Sequence, residues 1–552
     1  MNLIRALAVD LDGTLTTGGV LSETAMRAID EQRRRGLRAV LVTGRIMAEL
    51  EADFPGLPGR FDAVVTENGC VLHAGPVTRE LADPVDTALE HELRRSQVPL
   101  RRGRVLLACD DWAGGLAYDA IARLGLDVQI VHNRGHLMLL PPGVTKATGL
   151  THVLDEFGLS PHNAVGAGDA ENDHSLLECC EYGVAVANAV PGLARRADLV
   201  LEEFNGTGIA ALLKGPLLSG GLRLPVPRRR LLLGTTPAGT PVHLPAAQTN
   251  LLISGGSGLG KSYLIGLLAE QLTVHGYSVL VIDPEGDHAG LGDLPDTLIA
   301  GDGHALPDPA TLLDLAVRPR GAVVLDLSRM PPPARDRYLG ALAAPLRALR
   351  AARGLPHWVL IDEAHQSAAA PANPIHPADG EYGYCLATYQ PHLLTRESHA
   401  RMEWRIRLIA GGRCAVHGPD TDVPVIVPAA RRTFHQRHLR KYTETTLSAE
   451  RGFHFRTDAG RTGVIALNLR QFTAELGRCP PAVLRHHAAG GDFSRWIRDV
   501  HAAHDLAAEV RSIEEVLAAD GDADLARARL TDIVHSHYLT SSAPADPVAP
   551  IG

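Results

Sequence analysis

The 552-residue chain carries 54 basic and 63 acidic residues, a formal net charge of −9, and is 45% apolar and 21% charged. That length is too great for a single core and points to about three domains, with the composition of a globular rather than a disordered protein. The acidic balance excludes a surface that is basic throughout, so any nucleic-acid contact must be regional, and scattered cysteines without a CxxC spacing fit a reduced cytoplasm.

Leu3 to Val9 reads as an apolar strand that delivers Asp10 and Asp12 to its carboxyl end, ahead of a turn at Gly13 and Thr14. The opening residues lack the charged and apolar segments of a signal peptide, and no apolar run reaches the roughly 18 residues of a membrane span. The expectation is a cytoplasmic protein with no membrane partner. A helix pattern between 22 and 35 and a second strand, RAVLVTGR (38–45), bring Thr43 to another strand end. Residues 76–138 read as a small αβ module, with strands at 104–109, 127–133 and 136–141 and a helix near 113–124. GVTKATGL (143–150) then places Lys146, and GAGDAENDHSLL (166–177) places Asp169, Asn172 and Asp173 at a third strand end. Only four of the 54 basic residues are lysines, and Lys146 and Lys261 both sit where a compact ammonium meets phosphoryl oxygens.

Together with TENG (66–69) and GVAVANAV (183–190), these motifs resemble the haloacid dehalogenase (HAD) superfamily of phosphatases, in its Cof-like and sucrose-phosphatase-like branch, over residues 1–213. The resemblance implies a Rossmann-like α/β domain with a small α+β cap at about 76–138. It implies Asp10 as the nucleophile that forms an aspartyl-phosphate and Asp12 as the general acid and base. Thr43 and Lys146 would hold the phosphoryl oxygens. Asp169 would bind Mg²⁺ with Asp10 and the Asp12 backbone carbonyl, and Asp173 would support the metal shell. A carboxylate can approach a phosphate dianion only when a hard cation and a lysine neutralise the charge. Sugar phosphates, phosphoglycolate-like acids and nucleotide or polynucleotide phosphates stay open as substrates.

A Gly-, Pro- and Leu-rich connector (214–228) follows, then a hairpin pattern at 231–244 and TNLLISGGSGLGKSYLIGLLAEQL, a strand, a glycine loop and a helix. In this setting GxxxxGK[ST], Gly255, Gly256, Ser257, Gly258, Leu259, Gly260, Lys261 and Ser262, is a phosphate cradle. Its backbone N–H groups converge on the phosphates of ATP, Lys261 reaches the β and γ oxygens, and Ser262 ligates Mg²⁺. WVLIDE (358–363) is an apolar strand ending in Asp362, which would support Mg²⁺, and Glu363, which would polarise the attacking water. A further strand, YCLATYQP (384–391), ends in Gln390, placed to sense the γ-phosphate. With VIDPEGDH (281–288) these features resemble the HerA/FtsK branch of ATPases over 229–428, implying a RecA-like ASCE domain. Members of that branch work as rings completed by a neighbour's arginine, for which Arg405, Arg407 and Arg413 are the candidates.

Residues 429–540 read as a mixed accessory region and 541–552 as a Pro- and Ala-rich disordered tail. The stretch 430–472 interleaves aromatics with Arg437, Arg440 and Lys441, a composition able to stack on nucleic acid; His435, His438, His486 and His487 lack the cysteine pattern of a zinc site. An amphipathic helix is predicted over 493–517, with Phe493, Trp496, Ile497, Val500, Leu506, Val510, Ile513 and Leu517 as its buried stripe. The combined expectation is a Mg²⁺-dependent phosphomonoesterase coupled to a ring ATPase, acting on an unidentified phosphorylated substrate, with nucleic acid, antiphage defence or DNA repair as conceivable settings. A polynucleotide kinase-phosphatase and an ATP-switched scaffold are the alternatives; Glu363 and Gln390 weigh against the first.

Overall fold

The computed structural model describes residues 3–219, 222, 224, 226–256, 259–301, 306–368, 375–378, 380–409, 411–433, 449–458, 460–501, 504–519 and 521–538. Its amino-terminal part is an eight-stranded sheet whose parallel core runs Leu199–Val200, Tyr182–Ala185, Ala164–Gly168, Ala6–Val9, Arg38–Val42 and Ala63–Thr66. The central strands are apolar throughout because helices cover both faces, and every residue of Ala6–Val9 is buried. The helix Glu23–Arg34 starts on the Ser22 side chain, which accepts from Ala25 N at 3.3 Å, and carries Glu23 in its first turn and Arg33 and Arg34 in its last. Val71–Ala74 and Val77–Glu80 complete the sheet antiparallel. Residues 77–80 therefore belong to the core, and the predicted cap boundary at 76 is corrected: the insertion begins after Glu80. It holds a four-stranded antiparallel sheet, in the order Gln129–Asn133, His136–Leu140, Leu107–Asp110 and Arg101–Arg102, with helices Thr87–Arg95 and Gly114–Leu124 packed on it.

The segment read as a linker is strapped to the first domain. Leu217 and Val226 are buried in its core, and Arg228 donates to the carbonyls of Cys180 and Glu181 and pairs with Asp198 at 2.5 Å.

The second sheet has eleven strands. Its parallel part runs Trp404–Ile409, Asn250–Ser254, Tyr384–Thr388, Trp358–Ile361, Ser278–Asp283, Gly321–Asp326 and Thr297–Ala300. Beyond Trp404–Ile409 it continues antiparallel through Arg413–Gly418, Thr421–Pro428 and the predicted hairpin Arg230–Thr235 and Pro241–Pro245. A buried Glu270 on the helix Lys261–Val274 accepts from Arg431 Nε at 2.9 Å, Arg432 N at 2.7 Å and Thr433 N at 3.0 Å, which pins the chain leaving this sheet. Gly266 makes room, since a Cβ there would lie 2.1 Å from the Arg431 guanidinium.

The carboxy-terminal region is a hairpin, Phe453–Thr457 and Gly460–Ala466, with helices Leu469–Arg478, Pro481–Gly490, Asp492–His501, His504–Ala518 and Ala523–Tyr538. The single helix predicted over 493–517 is thus two helices packed on one another, although its stripe is inward-facing: Phe493, Ile497, Leu506, Val510 and Leu517 are buried and Val500 and Ile513 partly so. Phe453, Phe455 and Phe472 fill the same core, so packing rather than base stacking explains these aromatics of the 430–472 stretch. His487 is also spoken for, its Nδ1 bonded to Asp492 at 2.8 Å and its Nε2 accepting from Arg456 N at 2.8 Å. His435, His438, Arg437, Arg440 and Lys441 lie outside the described residues.

The two large sheets meet at the amino-terminal ends of their strands. Arg5 Nη2, just before the first strand, donates to Ala351 O at 2.6 Å and Arg350 O at 3.1 Å, capping the carboxyl end of the helix Pro332–Arg353, and Asn163 Nδ2 donates to Gly354 O at 3.1 Å. At the centre Glu181 binds His162 Nδ1 at 2.6 Å and Tyr277 Oη at 3.0 Å; His162 stacks on Tyr277 with ring centroids 3.7 Å apart. Burial alone would push the Glu181 carboxyl up, but its bonds to His162 and Tyr277, with Arg229 nearby, hold it below the usual carboxylate range. Its stabilising contribution is therefore present above the unfolded-state value of 4.5 and is lost as pH falls through the folded value. Glu181→Gln is expected to cost about 1–3 kcal/mol near neutral pH. In calorimetric melts its Tm deficit should shrink as the pH is lowered from about 6 to about 3. A deficit constant across that range would refute this account of the interface.

Candidate active sites

Asp10, Asp12, Thr43, Asp169 and Asp173 follow the carboxyl ends of parallel strands, whereas Lys146 comes from a helix start. Val9 pairs with Leu41 on one side and Ala167 on the other, so Asp10, Thr43 and Asp169 emerge side by side from three adjacent strands. Lys146 opens the helix Lys146–Glu156, capped by Thr145, and donates Nζ to Asp10 Oδ1 at 2.5 Å and Asp173 Oδ1 at 2.7 Å. The other Asp173 oxygen accepts from the backbone N of Asp169 and of Ala170, both at 2.9 Å, which fixes the loop. Thr14 Oγ1 donates to Asp169 Oδ1 at 2.8 Å. Thr43, Lys146, Asp169 and Asp173 are all buried, and Asp10 nearly so.

The electrostatics call for a cation. Asp10, Asp169 and Asp173 present ligand atoms within 4.8 Å of one another, while Lys146 is the one buried ammonium among them. Burial, opposed by Lys146 and reinforced by Asp173 and Asp169, drives the Asp10 carboxyl well above its ordinary value. Burial and Asp173 push Asp169 up to about 6. Burial would depress Lys146, yet Asp10 and Asp173 hold it above the usual lysine range. Even with the Arg134 guanidinium beside Asp169, three clustered carboxylates around one buried lysine form a donor set that fits Mg²⁺.

Asp12 is oriented by a residue the motif search passed over. Arg45 Nε and Nη2 donate to its two oxygens at 2.6 and 2.8 Å, and Nη1 pairs with Asp53 at 2.5 Å. The TENG motif has a mechanical role: Glu67 accepts from the backbone N of Arg104, Val105 and Leu106 at 2.8–3.0 Å, tying the core to the insertion. Asn172 Nδ2 donates to Asn68 Oδ1 at 3.1 Å. From the insertion, Arg134 reaches Asp169. Arg45 could have been found from its place two residues after Thr43; Arg134 sits in a hairpin turn with no motif to mark it.

In the second sheet Gly255, Gly256, Leu259 and Gly260 lie between the strand Asn250–Ser254 and the helix beginning at Lys261, with Ser262 in its first turn; Ser257 and Gly258 lie outside the described residues. Gly255 must be glycine, because a Cβ would stand 2.7 Å from Leu408 Cβ. Lys261 Nζ donates to Gly256 O at 3.2 Å and stands 5.6 Å from the Tyr389 ring centroid. The strand carrying Gln390 lies between the glycine-loop strand and the acidic strand, and both carboxylates after the latter are buried. It stops at Thr388, two residues short of the predicted end, and Gln390 N donates to Thr388 Oγ1 at 3.0 Å.

Two buried histidines that the sequence reading left aside stand beside those carboxylates. His288 Nε2 meets Asp362 Oδ2 at 3.1 Å, and His365 Nδ1 lies 3.5 Å from Glu363 Oε2 and 3.1 Å from Thr388 Oγ1. Asp283 organises the loop before His288, accepting from the backbone N of Gly286 at 2.7 Å and His288 at 2.9 Å; burial pushes its carboxyl up to about 7 against the pull of His288. Arg405, Arg407 and Arg413 are exposed on neighbouring strands. Arg405 donates to His399 O at 3.2 Å, and Arg407 stands opposite Ser254, beside the glycine loop of its own chain.

Residues 7–83 and 122–213 match the haloacid dehalogenase-like hydrolase family, and residues 235–312 match the central domain of helicase HerA. The chain is similar to a phosphoglycolate phosphatase of Methanothermobacter thermautotrophicus, 31% identical over 223 residues that make up 38% of this chain and 96% of that protein. It is likewise similar to a phosphoglycolate phosphatase of Pyrobaculum aerophilum, 31% identical over 238 residues, 40% of this chain and 99% of that protein. A solved haloacid dehalogenase-like hydrolase from Bacteroides thetaiotaomicron is 19% identical with a TM-score of 0.34, covering 38% of this chain and 98% of that one. Among the described residues no helix is long and apolar enough to cross a membrane.

Proposed function

From the premise that the chain belongs, through its first 213 residues, to the haloacid dehalogenase-like hydrolases, we propose that it is a two-headed phosphohydrolase, a Mg²⁺-dependent phosphomonoesterase joined to a HerA-like ATPase. The observation that carries the first head is the convergence of Asp10, Lys146, Asp169 and Asp173 in one buried cluster. Asp10, Asp169 and the Asp12 carbonyl would hold Mg²⁺, with Asp173 supporting them, and the bound ion would neutralise charge between carboxylate and phosphate. Asp10 attacks phosphorus while Lys146 and Thr43 bind the phosphoryl oxygens and Asp12 protonates the leaving oxygen. Asp12 then takes a proton from the water that cleaves the aspartyl-phosphate, releasing phosphate. A small acid such as 2-phosphoglycolate is the first substrate to try, because relatives carry that activity in their names.

For the second head, the support is a sensor strand lying between the glycine-loop and acidic strands, the order of a RecA-like ASCE domain, with Glu363 beside Asp362. Lys261 and Ser262 would meet ATP and its Mg²⁺, Asp362 would support the ion, and Glu363 would polarise the attacking water. A kinase needs no such glutamate, which favours this reading over a polynucleotide kinase-phosphatase. The test is turnover by the whole chain, with Mg²⁺ or EDTA, of 2-phosphoglycolate, sugar phosphates, 3′- and 5′-phosphorylated oligonucleotides, and ATP. Failure on every phosphomonoester, or equal rates in EDTA, would sink the phosphatase assignment; failure on ATP would sink the second head alone.

The base-to-base junction bears on how the heads cooperate. Asp10 and Asp362 each lie five residues past the junction residues Arg5 and His357, on strands that lead away from the junction. At ~3.3 Å per residue each centre stands on the order of 15 Å from the junction. Both centres therefore face away from the contact between the heads, which disfavours direct hand-over of a small product within one chain.

A further inference from the structure

The hairpin of Gln129–Asn133 and His136–Leu140 turns through Arg134 and Gly135, both with positive φ, 45° and 87°. This tight turn is the part of the cap that descends onto the carboxylate cluster. Asn133 and Met138 approach the core at Gly44, where an added Cβ would lie 3.6 Å from the Asn133 amide nitrogen and 3.1 Å from Met138 Sδ. Arg134 goes deepest: its guanidinium pairs with Asp169 and would stand 3.1 Å from a Cβ on Gly13. Its side chain is 44% exposed whereas that of Asp169 is fully buried, so the guanidinium stands at the rim of the site. The other guanidinium there, Arg45, has its donors engaged by Asp12 and Asp53.

We propose that Arg134 is the residue with which the cap reads a second anionic group on the substrate, on the leaving-group side of the phosphoryl ester. This rests on the phosphatase reading above. With its phosphoryl group at Asp10, between Lys146 and Thr43, a substrate directs its leaving group out of the core pocket and beneath the hairpin. There a planar fork of N–H donors matches a carboxylate or a second phosphate, two oxygens at a time. A neutral leaving group gains nothing from that fork, which selects against plain alkyl phosphates. Arg134 can turn to a ligand without dismantling the core, because Asp169 keeps its bond from Thr14 and its place beside Asp173.

The test compares wild type with Arg134→Gln and Arg134→Lys on 2-phosphoglycolate, glucose 1,6-bisphosphate and ethyl phosphate. In Arg134→Gln the ratio of kcat/KM for the better of the two substrates with a second anionic group to that for ethyl phosphate should fall about tenfold to hundredfold, chiefly through KM, with partial recovery in Arg134→Lys. Whether 2-phosphoglycolate or the bisphosphate shows the loss tells a carboxylate from a second phosphate. As a readout independent of turnover, phenylglyoxal labelling of Arg134 in the Asp10→Asn protein, followed by mass spectrometry, should be slowed by the same compound and not by ethyl phosphate. An unchanged ratio with ethyl phosphate still turned over, or labelling that no compound slows, overturns the role of Arg134. If no phosphomonoester is turned over by wild type, the phosphatase reading is what fails, and the labelling decides the fate of Arg134.

Discussion

Asp10→Asn is expected to lower phosphatase turnover by roughly 10⁴-fold or more while ATP hydrolysis stays within a few-fold of wild type. The chemistry needs an anionic oxygen at the end of the central strand, and an amide of the same shape offers a poor nucleophile. Removing one of three clustered carboxylates also relieves repulsion at a site where burial and like charge already disfavour ionisation, so the variant should fold at least as well as wild type. A lower Tm accompanying the loss would indicate structural damage rather than a lost nucleophile. Phosphatase activity retained by a folded Asp10→Asn protein would withdraw Asp10 from the mechanism. The separation of effects follows from the junction: the heads touch through Arg5, His162, Glu181 and Tyr277, all at the ends of strands remote from either set of carboxylates.

What the sequence made legible was whatever a strand end forces. Asp10, Thr43 and Asp169 follow apolar runs that can only be buried parallel strands, and Asp362 likewise, so the motifs carried their own coordinates. Less visible was anything decided by tertiary contact. Val77–Glu80 is exposed along its whole length and carries no alternating pattern, so nothing local marks it as an edge strand of the core sheet. The stripe in 493–517 was visible because it is periodic, but periodicity does not say where one helix becomes two. Arg134 and His288 sit in turns and His365 in a short helix, Ala364–Ala368, and their side chains gain meaning only from the carboxylates that the fold brings to them. Glu181 and His162 were unmarked because a buried pair between domains is distinguished from a solvated one only by the partner surface that covers it.

The second large effect is expected at Glu363. Glu363→Gln should retain ATP binding and lose hydrolysis by about 10²- to 10³-fold, whereas Lys261→Ala should lose binding itself. Glu363 has a left-handed backbone, φ 43°, directly after the buried Asp362, and donates its N–H to Asp362 Oδ1 at 2.8 Å. A residue other than glycine in that conformation is held there by its surroundings, here the bond to Asp362 and the neighbouring His365, which is itself bonded to Thr388 on the adjacent strand end. The glutamine keeps the side chain's shape but replaces one acceptor oxygen with a donating amide, so its effect reports the loss of the charge and of the group that can polarise water. Normal hydrolysis by that variant would rule out the ASCE reading. The same protein, arrested with ATP bound, is the one to weigh by light scattering. If one of Arg405, Arg407 or Arg413 completes a neighbour's site, ATP should drive the arrested protein into a hexamer or other closed ring, since occupancy then stabilises the contact. The junction puts the phosphatase head behind the amino-terminal ends of the ATPase strands, away from the glycine loop. A monomer at micromolar concentration, with wild-type ATPase activity per chain independent of dilution, would exclude the ring and return weight to a kinase-phosphatase.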